Sequence, residues 1–249
     1  MAASREERIE TGRRAVLRWL AAGACLAGWP GRPRAAPLTG RPETLPPGRS
    51  FYRIGGEVLV NGVVATLETF VPAQARIATG VGAEAIFVVG ADAFLLRDQG
   101  VLELQPGGGG GGGPGGDNLL VQGLRLVTGR LLSVFGRHPH RLETGNGIMG
   151  IRGTGLYATS APETSYVCTC YGTVEIGVQG AQEREAITST HHSAPRYILS
   201  TPEGGRRIVP APVVDHTDEE LTLIEALVGR TPPFLYSGGG YDGLRHQDY

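Results

Sequence analysis

Residues 84–104 read EAIFVVGADAFLLRDQGVLEL. Three short apolar runs, Glu84–Val89, Ala93–Arg97 and Val101–Leu104, are parted by Gly90, Asp92 and the pair Gln99-Gly100. Each run is too short for a stable helix, and the residues between them are those that turn a backbone sharply. The stretch Ala85-Ile86-Phe87-Val88-Val89 has no polar member, so the strand it predicts is buried on both faces. The same texture extends upstream through Glu57–Val60, Val64–Phe70 and Ala75–Thr79, with Asn61-Gly62 as a further turn. Downstream it resumes at Leu119–Val127, Leu131–Phe135, Gly147–Ala158, Ser165–Tyr171, Thr173–Val178, Ala186–Thr190 and Arg196–Ser200. Short strands at this spacing predict a mainly β fold, a short β-solenoid or a sandwich-like domain.

Composition agrees. Of 249 residues, 40 are Gly and 17 are Pro, which leaves little room for long helices. Aromatic residues make up 6%, so the core is aliphatic. All 23 basic residues are Arg, and the net charge is −1. Residues 1–36 carry seven Arg and three Glu, so the remainder is acidic. An acidic body without a basic cluster or an aromatic platform excludes nucleic acid as the expected partner.

The first segment reads as an address. Residues 13–29, RRAVLRWLAAGACLAGW, place a paired Arg13-Arg14 before an apolar run of about 11 residues, short of the ~20 that span a bilayer. Residues 1–36 are therefore expected to be an export signal with a signal helix. Arg13-Arg14 followed by Ala15, Val16 and Leu17 resembles a twin-arginine (Tat) leader; a Sec leader and an uncleaved amphipathic anchor stay open beside it. Cys25 follows Ala22-Gly23-Ala24, a poor lipidation signal because the usual Leu is missing. The expected location is the periplasm or another exported compartment of a bacterium, with membrane contact only through the leader or lipidation.

Residues 37–50 read as a Pro-rich tether, and 51–200 as the β domain, interrupted by the glycine-rich loop 106–116. Residues 201–235 form a C-terminal extension with one helix over 218–228, and 236–249 a disordered tail. The helix is announced by Thr217 and Glu220 as a capping box, by Asp218 and Glu219 in the first turn, by Leu221, Ile224, Leu227 and Val228 on one side, and by Gly229 as the stop. It is expected to cover an open end of the β stack.

Gly150-Ile151-Arg152-Gly153-Thr154-Gly155, a strand, then Tyr171-Gly172-Thr173-Val174-Glu175-Ile176 resemble the core of FecR-like domains. Upstream, Gly56-Glu57-Val58, Ala75-Arg76-Ile77-Ala78-Thr79-Gly80 and Ala83-Glu84-Ala85-Ile86-Phe87 follow that family's order. The resemblance covers about residues 56–180. It implies a periplasmic β-solenoid-like domain with a binding, sensing or signalling role, linked in the best-known members to sigma-factor regulation and iron-siderophore receptors. The implied partner is an envelope protein or a small ligand. Read physically, the glycines Gly150, Gly153 and Gly155 allow bulges or close backbone approach, and Arg152 is expected to pair with a carboxylate or backbone carbonyls.

Cys168-Thr169-Cys170 carries the most suggestive chemistry. On a strand, residues two apart share a face, so two sulfurs sit side by side. The set is completed by His191 or His192, of which an extended dipeptide would offer only one, and by His216. Two thiolates with imidazoles suit zinc, copper or iron. Three readings stay open: a metal or cofactor site, a disulfide or redox pair, and inert thiols with surface histidines. Extended Cα atoms two residues apart lie ~6.5–7 Å from each other, at the limit of disulfide geometry.

Other patterns carry less. Gly145-Asn146-Gly147-Ile148-Met149-Gly150 matches the dinucleotide fingerprint in letters but is followed by more strand, not a helix. His138 and His140 flank Pro139 and are expected in an exposed turn. Asp92, Asp98 and Asp117 are expected in turns for backbone reasons. No nucleophile–base signature is present, so an enzyme is not expected.

Overall fold

The computed structural model describes residues 44–106 and 121–236. The leader (1–36), residues 37–43 of the tether, residues 107–116 of the glycine-rich loop, Asp117, and residues 237–249 of the tail therefore lie outside the described residues.

Fourteen strands form one branched, almost entirely antiparallel sheet. They are β1 (Phe51–Gly55), β2 (Val58–Val60), β3 (Val63–Val64), β4 (Ala75–Thr79), β5 (Glu84–Val89), β6 (Asp92–Leu96) and β7 (Val101–Pro106), then β8 (Val121–Val134), β9 (Pro139–Glu143), β10 (Gly147–Ser160), β11 (Thr164–Val178), β12 (Arg184–Ser189), β13 (Arg196–Glu203) and β14 (Arg206–Pro210). Among the described residues one α-helix, α1 (Asp218–Leu227), follows, and then a short 3-10 turn, Pro233–Tyr236. The mainly β class with a C-terminal helix is as the sequence predicts. No helix among the described residues is long and apolar enough to cross a membrane.

Three long strands organise the sheet by pairing differently along their two halves. The first half of β8 pairs with β7 and β9, and its second half with β6 and β10. β10 passes from β9 to β8, and β11 passes from β13 to β12. Each changes partner near a glycine with positive φ: Gly129 (97°), Gly153 (58°) and Gly172 (87°). At Gly172 a Cβ would lie 2.9 Å from the Thr154 hydroxyl oxygen, so only Gly fits. The sequence reading split β8 and β11 in two at such positions; the structure keeps each strand whole and bends it.

The run that predicts burial on both faces has it. In β5 and β6, Phe87, Phe94 and Leu96 enter one core, while Ile86, Ala93 and Leu95 enter a second. The second core also holds Leu132, Val134, Tyr157, Tyr166, Cys168, Cys170 and Tyr171, and it is closed by Leu221, Leu223, Ile224 and Leu227 of α1. Each such helix side chain contributes roughly 1.5–3 kcal/mol through burial. The helix thus lies on a sheet face rather than over an end of a stack. Its capping box is present, and Arg97 binds Glu220 at 2.9 Å.

Several boundaries shift. Of the expected run Val64–Phe70 only Val64 is strand, as the second residue of β3; Thr66 and Thr69 turn the chain, with the Thr66 amide donating to the Thr69 hydroxyl at 2.9 Å. β9 begins on Pro139, acceptable at a first strand position, and β14 was not anticipated. The boundary at 200 falls inside β13, so the extension is part of the same sheet. The end of the expected tether is docked: Ser50 is buried and its hydroxyl accepts from the Val71 amide at 2.9 Å.

Candidate metal centre

Residues 168–171 of β11 occupy a gap in its outer edge. Val167 opposes Arg196 of β13 and Gly172 opposes Ser189 of β12, with no ladder partner between. The chain from Thr190 to Pro195 crosses this gap as a turn, and the His192 amide donates to the Cys170 carbonyl at 2.8 Å. His192 has φ 46°. The His191-His192 dipeptide is therefore not extended, and both rings lie on one side, 4.8 Å apart. The extended form that would point the rings opposite ways is therefore not adopted, although only His192 joins the two thiols.

His216 arrives from the segment before α1, its ring stacked on Tyr157 at 4.6 Å and 12°. The ligand atoms of Cys168, Cys170, His192 and His216 all lie within 4.8 Å of one another. Cys168 Sγ is 3.7 Å from His192 Nδ1, and that nitrogen is 2.9 Å from His216 Nε2. Tetrahedral zinc–ligand bonds imply edges of roughly 3.3 Å between nitrogens, 3.5 Å between nitrogen and sulfur and 3.8 Å between sulfurs. The Cys168–His192 separation exceeds the nitrogen–sulfur edge, and the His192–His216 separation falls short of the nitrogen–nitrogen edge, each by a few tenths of an ångström.

The outer nitrogens of both rings are committed. His216 Nδ1 lies 2.6 Å from the Val214 carbonyl, which can only accept, so Nδ1 carries hydrogen. His192 Nε2 donates to Asp218 Oδ1 at 2.8 Å by the same argument. The neutral rings thus turn two lone pairs toward each other at 2.9 Å, an arrangement that demands a proton or a cation between them. Imidazoles whose distal N–H meets a carboxylate or a carbonyl are the usual supports of a metal site.

Protonation follows the same geometry. A hydrogen bond from Cys170, helped by His192 and His216 against the effect of burial, brings Cys168 down to about 3. Burial, with the neighbouring Cys168 thiolate, pushes Cys170 well above the usual thiol value. Burial works against a charged His192, but Cys168 and Asp218 outweigh it and the value is raised. Cys168 and Cys170 are both fully buried, and neither is in a disulfide.

His191 stands outside the four-atom cluster. Its side chain is 48% exposed and its Nε2 donates to both Asp218 oxygens, at 3.0 and 2.9 Å. Asp218 is the residue the sequence reading missed here. It was credited to the helix dipole alone, yet as the first helical residue it also holds both histidines.

The IRGTG segment lies elsewhere on β10. Arg152 is exposed and makes no ion pair among the described residues, unlike the expected pairing. Thr154 is fully buried and ties the bend, donating to the Arg152 carbonyl at 2.9 Å. Gly153 supplies the positive φ, and Gly150 sits in open register opposite Glu175. His138 is exposed as expected, but His140 is buried, with Nε2 2.9 Å from Asp92 Oδ2. Asp92 also accepts from the Gly136 amide at 2.8 Å and is buried, so it is not a turn residue chosen for backbone reasons. The alternation of His140 and Leu142 on a strand was the available signal.

No protein-family profile matches the chain, and no curated protein does. Among solved structures the chain is similar to two crystal structures of a candidate anti-sigma factor from Parabacteroides distasonis ATCC 8503, at 2.50 and 1.65 Å resolution. Both are 12% identical, with TM-scores of 0.42 and 0.41 over 55% of this chain. The match spans 58% of the length of those chains.

Proposed function

We propose that this chain is a non-enzymatic metal-binding protein whose Cys168, Cys170, His192 and His216 hold one zinc-type ion. The observation that carries the reading is the convergence of these four ligand atoms within 4.8 Å, from three separate chain segments, with both imidazoles fixed from behind. Two thiolates and two imidazoles suit zinc first, with Cu(I) or iron as the other metals of fitting softness. Four protein ligands, two of them fully buried, leave no open coordination position for a substrate, which supports a structural or sensing role over catalysis.

A thiol–disulfide function would use the same pair. It is disfavoured because strand neighbours two apart are held near the upper limit of disulfide reach. The wider setting we propose is the FecR-like one: an exported envelope protein with a binding, sensing or signalling role. The motif resemblance and the leader-like residues 13–29 support it. In an oxidising compartment a bound cation also protects adjacent thiols, because the ligated lone pairs are no longer free to react.

The test is metal analysis of the purified full-length protein. One equivalent of a transition metal, lost in the Cys168→Ser/Cys170→Ser double variant, is the expected result. Equal metal content in both proteins overturns the reading.

A further inference from the structure

We propose that His191 and Asp218 form a surface loading position for the cation that the buried centre holds, with His192 shared between the two; this rests on the reading of that centre as a metal site. The four inner ligands are reached poorly from solvent, since both thiols are fully buried and the His192 side chain is 13% exposed. His191 is the exposed member of the constellation, and Asp218 lies between it and His192. The Nε2 atoms of His191 and His192 and a carboxylate oxygen of Asp218 form a second compact group, all within 4.8 Å. Two imidazoles and a carboxylate are a donor set for a divalent cation such as zinc.

The two groups use opposite nitrogens of one ring. His192 offers Nε2 outward, beside Asp218, and Nδ1 inward, beside Cys168 and His216. A cation on Nε2 leaves the ring proton on Nδ1, where it donates to His216 Nε2 across 2.9 Å and relieves the opposed lone pairs. Transfer to the inner centre takes that proton from Nδ1 to solvent and returns one from solvent to Nε2, where Asp218 accepts its hydrogen bond. The ring's proton count is unchanged. His191 binds through Nε2 with its own proton on Nδ1; when the cation leaves, solvent takes the Nδ1 proton and returns one to Nε2, which again donates to Asp218. The Cys170 thiol proton goes to water as its sulfur becomes a ligand. The left-handed backbone of His192 is what brings the outer and inner groups onto one ring.

A loading position speeds passage in both directions without being part of the final coordination shell. The test mixes full-length protein with Co(II) in a stopped-flow instrument and follows the thiolate-to-metal charge-transfer absorption. His191→Ala is expected to slow both association and release into excess chelator on the order of ten-fold, within the range over which local fields move on-rates. The ratio of the two rates stays constant, and His191→Asp, which returns a cation ligand, restores the speed. Unchanged association in His191→Ala overturns the port while leaving the buried centre intact, as does weaker binding with unchanged association. A wild type without the charge-transfer absorption removes the centre, and the port with it.

Discussion

Gly150 and Gly155, at the two ends of the GIRGTG segment, are of two physical kinds, and substituting them by Ala distinguishes the kinds. A Cβ on Gly155 would lie 2.4 Å from Tyr171 Cε1, with Cζ at 2.9 Å and Cδ1 at 3.0 Å. The Tyr171 ring has little freedom to yield. It is buried, its hydroxyl donates to the buried carboxylate of Glu225, and Glu225 accepts from Arg230 Nε at 2.6 Å. Overpacking of this kind costs about 1–3 kcal/mol, and displacing the ring adds about 1–3 kcal/mol for a buried carboxylate that loses a donor. Gly150 is exposed, and its added Cβ meets nothing nearer than 3.8 Å. Gly150→Ala therefore acts mainly on the unfolded chain and is neutral to stabilising by ~0.4–1 kcal/mol. A gap of about 3 kcal/mol between the two variants corresponds to roughly 6–12 °C in Tm for a domain of this size. Scanning calorimetry of both variants at one fixed zinc concentration measures it. Equal midpoints for Gly150→Ala and Gly155→Ala would refute the argument that Tyr171 dictates the glycine.

Three further outcomes follow from the same structure. Thr169 is fully buried and its hydroxyl has no hydrogen-bond partner among the described residues, so Thr169→Val raises stability by about 1 kcal/mol in urea titration; destabilisation would show that the hydroxyl is satisfied. Glu185 is held below its usual value by hydrogen bonds from Arg196, against partial burial. A depressed folded-state value means that its contribution is complete above the unfolded value and is lost as pH falls through the depressed one. Glu185→Gln should thus lower Tm at neutral pH, by an effect worth about 1 kcal/mol or less, and match the wild type in acid; an offset constant with pH contradicts this. Asp218→Asn keeps the helix start but weakens the support of His192, and zinc affinity falls about 10–100-fold in competition with a chelator. Unaltered affinity would remove Asp218 from the centre's support.

Much of this was legible in the chain because local signals agreed with the final packing. Thr217 and Glu220 announced the helix start to the residue, and the polar-free run 85–89 announced a strand with two buried faces. The Cys168–Cys170 spacing placed both thiols on one side of β11, and the structure brings His192 and His216 to them. What stayed hidden depends on partners distant in sequence. Nothing near His191-His192 says that β11 lacks a ladder partner at 168–171, yet that gap is why the chain turns there and His192 adopts a positive φ. Asp218 looked sufficient as a helix-start acid, and only the arrival of the turn from 190–195 gives it a second use. His140 read as a loop histidine because Pro139 masked a strand beginning. β8 and β11 read as pairs of strands because a glycine that bends a long strand looks, in one dimension, like a glycine that ends one.

X-ray absorption at the zinc edge, on zinc-loaded full-length protein, tests the buried centre most directly. Two sulfur neighbours at about 2.3 Å and two nitrogen neighbours at about 2.0–2.1 Å are predicted. A first shell of nitrogen and oxygen alone, or one unchanged in the Cys168→Ser/Cys170→Ser variant, would contradict the account.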